Sequence, residues 1–156
     1  METFNIQFIT ETPYAESLAS TSSIKSWDAN VWSWDASIEW DTEYLYTFNT
    51  NSFVIRNLGT ATIDPRESNL RIQISGNFEG SLIMNNITTG DSFIYNGNLS
   101  ENQVLELNRI KMTIGGVSIL SKTNKKLITL KPGENQFVIS GGQVSQVNFD
   151  FNFLYK

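Results

Sequence analysis

The 156-residue chain contains neither cysteine nor histidine. Without cysteine there is no disulfide, thiol nucleophile, iron–sulfur cluster or thiolate zinc site. Without histidine the chain lacks the commonest metal ligand and general base, so Ser-His-Asp, Cys-His and zinc-hydrolase chemistry are excluded together. Composition leaves open only carboxylate-pair or Ser/Lys catalysis. Cations are in the minority, 11 Lys and Arg against 16 Asp and Glu, for a net charge of -5. That sign opposes phosphate neutralisation, and nucleic acid is not an expected partner. No apolar run approaches the roughly 20 residues that span a bilayer, so no membrane partner is expected either. The opening Met1-Glu2-Thr3-Phe4 has no basic n-region and no apolar h-region, so no secretion signal is expected.

What the chain has in quantity is alternation. Hydrophobic residues make up 40% and charged residues 17%, a globular balance. Apolar and polar positions alternate with period two through most of the sequence, whereas the i, i+3, i+4 spacing of an amphipathic helix barely occurs. Phe4-Asn5-Ile6-Gln7-Phe8 opens with this pattern, and Val147, Phe149, Phe151, Phe153 and Tyr155 close with it. Strands are predicted between them at 44–48, 52–55, 70–74, 81–84, 92–95, 104–107, 110–114, 117–120, 126–130 and 136–139. Short strands separated by turn signals predict an all-β, antiparallel β-sandwich or barrel. Gly115-Gly116 is the chemistry of a two-residue type I′ hairpin, and Lys131-Pro132-Gly133-Glu134 that of a type II turn. Asn57-Leu58-Gly59, Asn96-Gly97 and Gly141-Gly142 are read as further reversals. Residues 1–42 are read as an N-terminal strand, linker and Trp-rich arm, and residues 43–156 as the sandwich domain.

The arm holds the most suggestive cluster. Ser26-Trp27-Asp28-Ala29 is echoed by Ser33-Trp34-Asp35-Ala36, and with Trp32 and Trp40 all four tryptophans fall within fourteen residues. Trp27, Trp32, Trp34 and Trp40, with Asp28 and Asp35, are the candidate ligand- or partner-binding residues, because exposed indoles stack on sugar rings or anchor interfaces. Packing of the same indoles within the chain is the competing reading. Asp28, Asp35, Glu39, Asp41 and Glu43 are numerous enough for a glycosidase pair or a Ca²⁺ site, but sequence places no two of them across a substrate, and no loop has EF-hand spacing. No catalytic residue, metal ligand or cofactor is therefore assigned, and the chain is expected not to be an enzyme. Lys122, Lys125 and Lys126 read as a solvated basic turn.

A series of segments resembles one family. Asn57-Leu58-Gly59-Thr60, then Asp64-Pro65, then Leu70-Arg71-Ile72-Gln73-Ile74-Ser75-Gly76 resembles the opening of the C-terminal domain of siphophage distal tail proteins. The likeness runs on through Ile87-Thr88-Thr89-Gly90-Asp91-Ser92-Phe93-Ile94-Tyr95-Asn96-Gly97 and Val104-Leu105-Glu106-Leu107. It ends at Leu130-Lys131-Pro132-Gly133-Glu134-Asn135-Gln136-Phe137-Val138-Ile139-Ser140-Gly141. Phe4 to Ile9 followed by Pro13-Tyr14-Ala15 is similar to the junction between the ring domain and the C-terminal domain in that family, so the chain resembles a piece beginning there. Leu107-Asn108 departs from the family's usual acidic residue, and Ser26 to Trp40 matches no part of its pattern.

The resemblance implies a galectin-like, carbohydrate-module-like jelly roll. It also implies a non-enzymatic structural adaptor in the virion, at the tail tip or baseplate, between the hub and the receptor-binding components. Its implied partners are other tail and baseplate proteins, with a hexameric ring in the full-length protein and a monomeric isolated domain. The alternative function is a carbohydrate-binding module that recognises host cell-wall polysaccharide through the Trp-rich loop.

Overall fold

A computed structural model describes residues 13–23 and 45–156. Among them the strands are β1 (Ala15–Glu16), β2 (Thr47–Phe48), β3 (Ser52–Asn57), β4 (Leu70–Asn86), β5 (Asp91–Asn96), β6 (Leu105–Asn108), β7 (Lys111–Ile114), β8 (Val117–Ser118), β9 (Gly133–Phe151) and β10 (Leu154–Tyr155). Two single 3-10 turns, Thr21–Ser23 and Leu120–Lys122, are the only helical segments among the described residues. Every strand pairing among these residues is antiparallel.

The architecture turns on β4 and β9, which pair along most of their length with register shifts at Ser75/Gly76 and Phe78/Ile83. These shifts divide the pair into two arms. In one arm, β4 residues 70–78 lie against β9 residues 142–151, with β2 beyond β9 and β6, β7 and β8 in turn beyond β4. In the other, β4 residues 83–86 lie against β9 residues 137–140, flanked by β3 and β5. The two arms belong to two antiparallel sheets that pack face to face as a β-sandwich. The predicted strands at 70–74 and 81–84 are thus halves of one strand, and 136–139 runs on into 147–151.

Gly141-Gly142 accordingly bends β9 instead of reversing the chain. Gly141 has φ +99, and a Cβ there would be driven into the backbone carbonyl of Ser81. Only glycine lets the two long strands approach this closely while turning from one sheet to the other. The Gly115-Gly116 hairpin forms as expected, with φ +56 and +80 at the two positions, and joins β7 to β8. Gly133 has φ +82, as the type II reading of Pro132-Gly133 requires.

Alternation along each strand delivers the core. Ile72, Ile74, Phe78, Val147, Phe149 and Phe151 are buried from one sheet, and Ile55, Leu82, Met84, Phe93, Phe137 and Ile139 from the other. Phe53 stacks on its cross-strand neighbour Phe137 at 5.4 Å and joins the layers by stacking on Phe48 at 4.4 Å and meeting Phe149 edge-on at 5.9 Å. Each such buried side chain contributes roughly 1.5–3 kcal/mol. The predicted strand at 126–130 does not form; only Leu130 pairs, in a bridge to Ile63. Side chains there take over from the ladder, because Thr129 gives both its N–H and its hydroxyl to the Asp91 carboxylate.

Residues 13–23 run along the C-terminal end of the sandwich. β1 pairs with β10, and the Ser17 N–H donates to the Phe153 carbonyl at 2.9 Å. Thr21 is buried, its hydroxyl donating to the Phe149 carbonyl at 2.9 Å and accepting from the Phe151 N–H at 3.1 Å. The predicted strand at Phe4–Phe8 lies outside the described residues.

Candidate binding face

The sequence-predicted site residues Trp27, Trp32, Trp34, Trp40, Asp28 and Asp35 all lie outside the described residues, as do Glu39, Asp41 and Glu43. The described residues on either side of 24–44 converge on one short stretch of β9. Before it, Thr21 bonds to Phe149 and Phe151, and the Ser22 N–H donates to Asp150 Oδ1 at 3.3 Å. After it, the Tyr46 carbonyl accepts the Phe149 N–H at 2.8 Å, and the Thr47 hydroxyl donates to Asn148 Oδ1 at 2.9 Å.

That stretch borders the outer face of the larger sheet. Because alternation sends every second residue outward, strand register lines up Thr47, Asn148, Gln73, Glu106, Thr113 and Ser118 across six strands. At a strand spacing of about 4.8 Å this polar row is roughly 24 Å long. One row away, Asp150, Arg71, Asn108 and Lys111 follow in register; on the other side, Gln146 faces Ser75.

The rows differ in how their side chains are held. The Glu106 carboxylate accepts from Arg71 Nη2 at 2.6 Å, Arg71 Nε at 3.0 Å and Gln73 Nε2 at 3.0 Å. Partial burial pushes the Glu106 pKa up, but hydrogen bonds from Arg71, Gln73 and Asn108 and the Arg71 charge outweigh it and hold the group below its ordinary value. Beside this pair the face sinks into a depression of about 140 Å³ lined by Gln73, Ser75, Val104, Gln146 and Asn148. None of these five side chains is charged. Sequence reading missed them, because their polar character is legible strand by strand while their adjacency depends on which strands pair.

The residues that carry the family resemblance fall on β4, β5, β6 and β9 and on the turns between strands. Asn57, buried at the end of β3, donates to the carbonyls of Ala61 at 3.0 Å and Leu130 at 3.2 Å and accepts the Gly59 N–H at 3.0 Å. A Cβ on Gly59 would meet the backbone of Leu154. Asn135, also buried, accepts the Lys131 N–H at 3.0 Å and donates to the carbonyls of Lys131 at 2.8 Å and Gly133 at 3.1 Å. Asp64 receives the Arg66 backbone N–H at 2.9 Å and its guanidinium, a hydrogen-bonded pairing that holds the Asp64 carboxyl below its usual range. Lys122, Lys125 and Lys126 are exposed on the loop after β8. Among the described residues no group of His, Cys, Asp or Glu could hold a metal ion.

The chain matches no protein-family model and no curated protein sequence.

Proposed function

We propose that this chain is a non-enzymatic adaptor module of a phage tail tip, joining the hub to receptor-binding components in the virion. The observation that carries the reading is the ordered series of segments resembling distal tail proteins, from Asn57-Leu58-Gly59 to the Leu-Lys-Pro-Gly-Glu-Asn turn at 130–135. Asn57, Gly59, Asp64, Gly133 and Asn135 sit where the chain reverses and are tied to the backbone around them. A sandwich with two strands common to both sheets resists shear between its layers, which suits a part that transmits force and position. In the full-length protein, a hexameric ring repeats each weak contact and raises its effective concentration, so partners among the tail and baseplate proteins need not bind one copy tightly.

The test is immunogold electron microscopy of tailed particles, using antibodies raised against the purified chain. Gold confined to the tail tip is expected. Particles that carry no gold, or carry it on the capsid or along the tube, would remove the proposal.

A further inference from the structure

We infer that the depression between Gln73, Ser75, Val104, Gln146 and Asn148 is a binding site for one neutral sugar ring of a polysaccharide. The inference does not depend on the tail-tip reading or on the Trp-rich segment.

The ligand class follows from what the lining lacks and what it leaves unused. It contains no ionised side chain, and Glu106, which bonds to Gln73, is itself paired with Arg71. The lining offers no opposite charge to an anion or a cation. The lining does present hydrogen-bonding capacity that the described residues do not consume. Gln73 spends its Nε2 on Glu106 and keeps its carbonyl oxygen free; Asn148 spends its Oδ1 on Thr47 and keeps its amide N–H groups free. The Gln146 carboxamide has no partner among the described residues, and the Ser75 hydroxyl makes only a long 3.5 Å contact with the Gln146 carbonyl. An acceptor on Gln73, donors on Asn148 and both on Gln146 match a ligand whose groups are hydroxyls that donate and accept.

Shape and position agree. Val104, 43% exposed, gives the depression one apolar wall, the surface that the C–H face of a sugar ring needs. The volume of about 140 Å³ is well below the several hundred Å³ of a drug-sized pocket, so it takes one ring, with the rest of the polymer lying over the open sheet. Gln73–Asn148 and Ser75–Gln146 are cross-strand pairs of β4 and β9 in the middle of the sheet. Hydrogen bonds from Gln73 to Glu106 and from Thr47 to Asn148 already orient two of the three carboxamides, so little order has to be gained on binding.

The experiment is an ¹⁵N-NMR titration of the full chain with the methyl glycosides of glucose, galactose, rhamnose and N-acetylglucosamine, with glucuronate as a charged control. Saturable shifts of the side-chain amide signals of Gln73, Gln146 and Asn148 are expected with at least one neutral glycoside. Gln146→Ala is expected to weaken that binding at least tenfold while leaving the urea midpoint unchanged, since the Gln146 side chain is exposed and bonds to none of the described residues. A Trp32→Ala, Trp34→Ala double variant is expected to bind as the parent does. The inference is overturned if no neutral glycoside gives saturable shifts at these amides, if glucuronate binds better than all of them, or if Gln146→Ala binds undiminished.

Discussion

At the scale of single residues, the bend between the sheets is the most demanding feature. Gly141 and Gly80 both have positive φ, +99 and +82, but only Gly141 has no space for a Cβ; around Gly80 nothing lies within 4 Å. Gly80→Ala should cost about 1–2 kcal/mol from backbone conformation alone. Gly141→Ala should cost clearly more, because the Ser81 carbonyl must also move; urea denaturation of the two variants measures the gap. Thr21→Val keeps the shape of a buried side chain but removes a hydroxyl that bonds to Phe149 and Phe151. A loss of about 1–3 kcal/mol is expected by the same measurement. Glu106 sets a pH dependence. Its folded pKa is lowered, so the unfolded chain binds the proton more readily. The stability it adds is complete above the ordinary glutamate range and disappears as the pH falls through the lowered value. Being partly open to water, the pair contributes about 0.5–1 kcal/mol. Glu106→Gln should flatten the stability curve across that acidic window and nowhere else, as read from urea midpoints at a series of pH values.

At the scale of elements, the long strands are the frame and the short ones its trim. β4 and β9 pair with each other along most of their length and each is flanked by further strands at its ends, whereas β8 is a two-residue edge and β1 pairs only with the equally short β10. Amide hydrogen exchange should therefore be slowest in the paired middle of β4 and β9, at Ile72, Ile74, Met84, Phe137 and Phe149. It should be faster by orders of magnitude in β8 and β10, whose bonds open without breaking a sheet. Fast exchange at Ile72 and Phe149 together would mean that the larger sheet opens independently. The same contrast explains why alternation identifies β3, β5 and β7 correctly and misleads at 126–130. A run of alternating residues is legible, but whether it finds a partner strand depends on what occupies the neighbouring edge, and there Asn124 and Thr129 bond to β5 and Asp91 through side chains.

At the scale of the whole molecule, sharing two strands between two sheets couples the layers. Neither sheet can be lost without unpairing part of β4 and β9 and exposing the Phe53, Phe137 and Phe149 cluster that lies between them. Unfolding should be a single transition, with far-UV circular dichroism and near-UV aromatic signals superimposing in urea. Two separated transitions would show that the sheets are energetically independent. The coupling also fixes the outer face: a polar row six strands wide stays flush only while the bend at Gly141 holds both arms in place. Loss of glycoside binding in a folded Gly141→Ala protein would report that dependence.

The class of the fold and much of its local detail follow from the order of residues along the chain. Period-two alternation specifies strands with one buried face, and the Gly115-Gly116 and Pro132-Gly133 turns are fixed by the φ values that only a few residues adopt. The absence of His and Cys removes whole chemistries on composition alone. Long-range pairing makes four predicted strands into two, turns Gly141-Gly142 into a bend within a strand, and places Gln73, Ser75, Val104, Gln146 and Asn148 around one depression. The physical reason is range. Alternation and turn chemistry act over two to four residues, while Gln73 and Gln146 are brought together by the pairing of β4 with β9 across more than seventy positions, which depends on the packing of both sheets at once.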